Sequence, residues 1–199
     1  MKYILKFTFL ILIGCGNSAD KNELNKSLVV TDKDIYEVVN FVLNEQDKDW
    51  ANTGIKNNPY KYIIDKDSEI HFEECELTNA KKIDTIFTKE DLKFIQQQIQ
   101  NRKDFKFKGK FIKSKKVISA NVIQEIFREI EYNPKKDFYE IYKKEFGNDL
   151  YSSIGLPVFS KDKKTVYVKV ERLMFGGFSA IYKKENDKWK FHCYLCAWS

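Results

Sequence analysis

Two short clusters hold most of the side chains that could do chemistry. His71 stands beside Glu73, Glu74 and Glu76, with Cys75 inside the acidic run, and His192, Cys193 and Cys196 form the second cluster. A histidine among carboxylates has the composition of a general acid–base set, provided that a pocket desolvates it. An envelope hydrolase built on His71 and these glutamates is therefore one functional alternative. Without a pocket, the same acidic run is a solvated edge. His71, Cys75, His192, Cys193 and Cys196 are all zinc-ligand types. Neither cluster has finger spacing, however, and adjacent His192 and Cys193 point opposite ways on a strand. No metal and no cofactor is assigned. Cys193-Tyr194-Leu195-Cys196 has the Cys-x-x-Cys spacing of a redox motif. That chemistry needs a helix N-terminus to lower the thiol pKa, and this pair lies in a strand pattern. The serines lack a nucleophile-elbow context, and Gly176-Gly177 lacks the strand-to-helix setting of a phosphate loop. With no catalytic constellation to recognise, a non-enzymatic role is expected.

The strongest local signal is N-terminal. Lys2 and Lys6 precede an apolar run from Phe7 to Ile13, broken only by Thr8, and polar residues take over from Gly16. A membrane-spanning helix needs about 20 apolar residues, so this run reads as a processing signal, not an anchor. Leu12-Ile13-Gly14-Cys15 resembles the lipobox of bacterial lipoproteins. The resemblance implies cleavage after Gly14, acyl chains such as palmitate on the Cys15 thiol, and acylation of the new amino terminus. Two or more chains give stable membrane attachment where one is marginal. Residues 1–14 are then a signal peptide, 15–30 a lipidated polar tether, and 31–199 a single domain. Gly16 follows the cysteine in place of the aspartate that retains some lipoproteins in the inner membrane, which points to the outer membrane. The sequence leaves open whether the domain faces periplasm or medium.

Lipidation of Cys15 leaves Cys75, Cys193 and Cys196 in an oxidising compartment. Cys193 and Cys196 are three apart, which puts them on opposite faces of a regular strand. A bridge from Cys75 to Cys193 or Cys196 has better geometry, and three free thiols is the alternative. Closing so long a loop contributes about 4 to 5 kcal/mol by chain entropy.

The net charge is +6, and loss of Lys2 and Lys6 leaves about +4, spread among interleaved acids. Nucleic acid is not an expected partner for an exported chain. The densest basic stretch runs from Lys103 to Lys116. Its alternation with Phe105, Phe107, Phe111 and Ile112 predicts a strand with one basic, solvated face, which could also meet anionic lipid or polysaccharide.

Thr31-Asp32-Lys33-Asp34 and Thr88-Lys89-Glu90-Asp91 are capping signatures. The first predicts a helix carrying Ile35, Val38, Val39, Val42 and Leu43 and ending near Asp47; the second, one carrying Leu92, Ile95 and Ile99. Tyr60 to Phe72 reads as interrupted extended structure. Ser119 caps a third helix bearing Val122, Ile123, Ile126, Phe127 and Ile130. A short aromatic helix around Phe138, Tyr142 and Phe146 closes at Gly147. Strands follow over Ile154–Phe159, around Val166–Val170, from Phe178 and from Trp189, with a hairpin loop at Glu185-Asn186-Asp187-Lys188. The expected architecture is α+β, with N-terminal helices covering one face of a C-terminal antiparallel β-meander; a cone of the nuclear-transport-factor type (NTF2-like) is the alternative.

Pro157-Val158-Phe159-Ser160-Lys161-Asp162, Gly176-Gly177, Lys183 to Lys190 and Trp198-Ser199 together resemble the C-terminal part of small lipoproteins from Bacteroidetes-type bacteria. These are turn and core residues, so the resemblance implies a fold and transfers no catalytic residue. The expected role is a cell-envelope lipoprotein that binds a partner or small ligand through its sheet or basic face. The rivals are the hydrolase above and an immunity or inhibitor lipoprotein.

Overall fold

The computed structural model describes residues 29–52, 59–65 and 80–199. The lipobox, Cys15, His71, Glu73, Glu74, Cys75 and Glu76 lie outside the described residues, as do most of the tether and the distal half of the expected Tyr60–Phe72 segment.

Helix α1 spans Asp32–Asn52, about a turn longer than the apolar pattern alone suggests. Its start is the predicted box: the Asp34 N–H donates to Thr31 Oγ1 at 3.2 Å, and the Thr31 N–H donates to Asp34 Oδ2 at 2.8 Å. The described elements continue with β1 (Tyr60–Ile64), α2 (Ala80–Ile86), α3 (Lys89–Asn101), β2 (Lys116–Ile118), α4 (Ala120–Tyr132), α5 (Phe138–Phe146) and β3 (Leu150–Ile154). Strands β4 (Val158–Phe159), β5 (Thr165–Arg172), β6 (Gly177–Glu185) and β7 (Lys188–Trp198) complete them. Thr88 and Asp91 form the second predicted box at α3, and Ser119 caps α4. Asn186 and Asp187 both take positive φ, 49° and 59°, as a tight two-residue hairpin requires.

The seven strands form one open sheet in the order β2-β1-β3-β5-β6-β7, with β4 pairing β5 beside that path. Strand β1 runs parallel to both β2 and β3, and every other pairing is antiparallel. The fold is therefore mixed α+β, and the closed cone is not formed. The expected strand Ile154–Phe159 is split in two, because Pro157 has no N–H to continue the ladder.

Helices cover both faces of the sheet, not one. Val166, Val168, Val170, Phe178, Ala180 and Tyr182 point to α1, joining Ile35, Val38, Val39, Val42 and Leu43 in one core. The intervening Tyr167 and Ile181 face the other way, against Phe87 and the apolar stripes of α2 and α3. Helices α4 and α5 cover the β1–β2–β3 side of that second face. The period-2 reading of β5 is thus correct in direction, yet its alternate residues Tyr167 and Lys169 are buried too.

Phe105–Ile112 is not a strand. It is a loop with a 3-10 turn at Gly109–Phe111, folded around Tyr36 of α1. The Phe105, Phe107 and Phe111 rings stand 6.2, 6.3 and 4.8 Å from the Tyr36 ring, and the Tyr36 hydroxyl accepts from the Lys108 N–H at 2.7 Å. The Lys–Phe alternation arises because each phenyl turns inward to that ring while Lys106, Lys108 and Lys110 stay exposed. Lys115 is the exception, buried and paired with Asp47.

Gly177 is where β6 can least tolerate a side chain. An added Cβ would lie 2.4 Å from the Val170 carbonyl oxygen and 2.6 Å from the Trp198 ring. Gly177→Ala is therefore expected to lower the denaturation midpoint far more than the loss of about 1 kcal/mol expected for the cap variant Thr88→Ala. Two capping carboxylates also tie stability to pH. Burial disfavours the Asp34 carboxylate, but bonds from the Thr31 backbone and hydroxyl and the Lys163 ammonium outweigh it and lower its pKa below the ordinary 3.8. Asp91 is lowered likewise, against burial, by the Lys161 N–H, by Thr88 and by the Lys161 charge. Depressed folded values stabilise the protein above the unfolded pKa, and this contribution is lost as pH falls through the folded ones. Chemical denaturation should show stability falling below about pH 4, with a flatter profile in an Asp34→Asn/Asp91→Asn variant.

Candidate functional site

The C-terminal cluster lies on β7, which two register shifts reshape. Ser179 pairs with Cys196 but Ala180 with Tyr194, so Leu195 is an extra residue; Ile181 pairs with Cys193 but Tyr182 with Phe191, so His192 is another. The bulge at Leu195 cancels the expected alternation. Cys193 and Cys196 sit opposite Ile181 and Ser179, two residues apart on β6, and therefore share one face. Cys193 is a half-buried free thiol, whereas Cys196 is buried and disulfide-bonded, so the Cys-x-x-Cys spacing forms no dithiol pair. The partner of Cys196 lies outside the described residues. His192 is exposed. Among the described residues no group of three or more His, Cys, Asp or Glu could hold a metal ion, and no helix is long and apolar enough to cross a membrane.

On the same face Lys169 is buried, 3.5 Å from Glu171 and 5.0 Å from the centre of the Trp198 ring. Ser179 stands directly across from it, fully buried, with a hydroxyl that makes no hydrogen bond. The ammonium therefore does not contact the hydroxyl as a serine–lysine nucleophile requires.

The α1 face is less completely covered. One helix is about 10 Å wide, while six strands at about 4.8 Å spacing span more than twice that. Two margins remain beside it. On the β1–β2 side, the Phe105–Ile112 loop packs Phe107 and Ile112 into the core. On the β7 side no described element does the same. A row of rings runs along that margin: Phe41 to Tyr182 at 5.7 Å, Tyr182 to Phe191 at 5.9 Å, Phe191 to Tyr194 at 4.7 Å and Tyr194 to Phe178 at 5.5 Å. Phe191 and Tyr194 are 46 and 51% exposed.

Arg172 stands at the end of this row, its guanidinium carbon 5.7 Å from the centre of the Phe178 ring. The neighbouring Tyr60 hydroxyl donates to the Leu173 carbonyl at 3.0 Å. Burial pushes the Tyr60 pKa up to about 12 even though the Arg172 charge opposes the rise. Met174 and Phe175, in the β5–β6 turn, are also exposed, and the Phe175 ring stands 6.5 Å from that of Tyr60. Half of the eight large exposed hydrophobic side chains among the described residues thus belong to one end of the sheet and its edge strand. The periodicity of β7 gave no sign of this, because the two bulges shift which residues face α1.

A concavity of about 1030 Å³ lies along α3 and is lined in part by Phe94, Gln97, Arg102, Lys103, Phe105 and Lys161. Its rim includes Val29, where residues 1–28 join the described domain. Arg102 there is already committed, donating to Asp32 at 2.7 Å and to the Val30 carbonyl at 2.6 Å.

No protein-family model, curated protein or solved structure matches the chain, and no activity or site residue is carried over from a relative. The thiol geometry has a direct check. Alkylation of the unreduced, denatured chain should label Cys193 and leave Cys196 unlabelled until a reductant is added; mass spectrometry of the peptides reads both.

Proposed function

We propose that this chain is a lipid-anchored protein of the bacterial cell envelope that works by binding a partner protein, not by turning over a substrate. The observation that carries the binding reading is the aromatic margin of β7, which no described element covers and where Phe191 and Tyr194 are exposed. Contiguous exposed rings at the edge of a well-packed domain are typical of docking surfaces, where aromatic and arginine side chains concentrate the binding energy. The lipobox Leu12–Cys15 and the polar tether behind it support the address, and Gly16 favours the outer membrane. The hydrolase alternative rests on His71 and the adjacent glutamates, and nothing in the described geometry favours it.

The anchor and the disulfide constrain each other. A thioether-lipidated Cys15 has no thiol left to oxidise, so Cys75 becomes the partner of Cys196. Non-reducing peptide mapping should recover a Cys75–Cys196 cross-link, and a Cys15–Cys196 cross-link would sink the lipid anchor. Cys15→Ala is expected to abolish lipid labelling and processing at Gly14. For the binding role, chemical cross-linking in native membranes should give one stoichiometric adduct that Phe191→Asp/Tyr194→Asp eliminates while the thermal midpoint is retained. An adduct unaffected by that variant would rule out the β7 margin as the docking surface.

A further inference from the structure

Arginine is rare in this chain: three residues against 32 lysines. Arg128 is exposed on α4, and Arg102 is spent on Asp32 and the Val30 carbonyl. Arg172 is half-buried, and among the described residues no carboxylate pairs with it. Its Nε–H is buried without a hydrogen-bond acceptor. Directly across the β3–β5 ladder stands Ser152, 1% exposed, whose hydroxyl is likewise unpartnered. Directly opposed residues in an antiparallel pair point to the same face, so both lie on the α1 side of the sheet. Buried polar groups are nearly always hydrogen-bonded, and two adjacent exceptions on one face call for a physical reason.

The neighbours supply one. Phe178 lies under the guanidinium and Tyr60 beside it, and Phe175, Tyr194 and Phe191 continue the apolar surface outward. A planar guanidinium on an aromatic ring binds a carboxylate through two parallel N–H bonds, which an ammonium cannot reproduce. We propose that Arg172 is the receptor for a carboxylate carried on an apolar segment of the partner protein, with Ser152 as the residue that positions the guanidinium. This rests on the partner-binding reading of the β7 margin and names the chemistry that the margin selects. The apolar surface runs from Phe175 in the turn to Phe191 on β7, wider than one small acid would cover, which assigns the carboxylate to a protein segment. Ser152 Oγ faces the same side of the sheet as the Nε–H that lacks an acceptor, and a bond between them would leave the outer guanidinium nitrogens for the carboxylate.

Only three arginines make the test simple to read. In the full chain held in detergent micelles, the arginine Nε–H region of a proton–nitrogen correlation spectrum contains three side-chain signals, and Arg172→Lys assigns one. Titration with the peptide acetyl-Phe-Glu-Phe-amide is expected to shift the Arg172 signal saturably and leave those of Arg102 and Arg128 in place. The Gln analogue should bind roughly tenfold more weakly or worse. Arg172→Lys should lose the preference for Glu over Gln. Ser152→Ala should move the free-state Arg172 signal and reduce that preference without abolishing it, a readout that a merely structural serine would leave unchanged. Equal binding of the Glu and Gln peptides, or equal shifts at all three arginines, would overturn the inference. Tighter binding of free 3-phenylpropionate than of the Glu peptide would overturn the assignment to a protein segment. If both peptides move the Tyr194 and Phe191 ring signals equally, the docking margin survives without its carboxylate; if neither moves them, the margin falls with it.

Discussion

One helix, α1, laid across an open sheet dictates where the rest of the chain must pack. Ile35, Val38, Val39, Val42 and Leu43 of α1 are all fully buried against β5 and β6, and truncating any one to alanine removes contacts worth about 1 to 5 kcal/mol. A single helix cannot shield six strands, so each margin of that face needs its own solution. The Phe105–Ile112 loop supplies one by turning three phenyl rings onto Tyr36. The β7 margin has no counterpart among the described residues, and its aromatic side chains stay in contact with solvent. Apolar area left in this state is a standing free-energy source for association.

The opposite face works differently. Two helical layers cover it, α2 with α3 over β5–β7 and α4 with α5 over β1–β3. On this face Lys169, Ser179 and Cys196 lie in register across three strands, all of them buried. The bulges in β7 bring Cys193 and Cys196 to that side and turn Phe191 and Tyr194 to the α1 side. The same two inserted residues therefore separate the oxidised sulfur from the exposed aromatic margin, and they twist the longest edge strand away from the regular geometry that invites uncontrolled strand pairing.

Local chemistry was legible in the sequence wherever a side chain answers to its own neighbours. The Thr31–Asp34 and Thr88–Asp91 boxes, the Ser119 cap and the Asn186-Asp187 turn all formed where the residue types require them. Long-range pairing was not legible. Strands β1 and β2 owe their place to parallel partners remote in sequence, and the Lys–Phe alternation of residues 105–112 mimics a strand because a loop that plugs a helix edge obeys the same in-and-out rule. The candidate site was hidden for a related reason. Arg172 lies just beyond the alternating Val166–Val170 run, and only the register with Ser152 and the ring of Phe178 shows that its Nε–H is buried without an acceptor among the described residues. His71 and its glutamates, the most chemical-looking stretch, lie outside the described residues.

Oxidative footprinting, in native membranes and on the purified full chain, asks whether the β7 margin is covered in the cell. With hydroxyl radicals the purified chain is expected to be modified at Met174, Phe175, Phe191 and Tyr194, and the same residues should be protected in membranes where the partner is present. Phe107 and Tyr36, buried by the chain's own loop, should be protected in both. Equal modification of the β7 margin in both preparations would contradict partner binding there, because the surface left open by α1 would then be open in the cell as well.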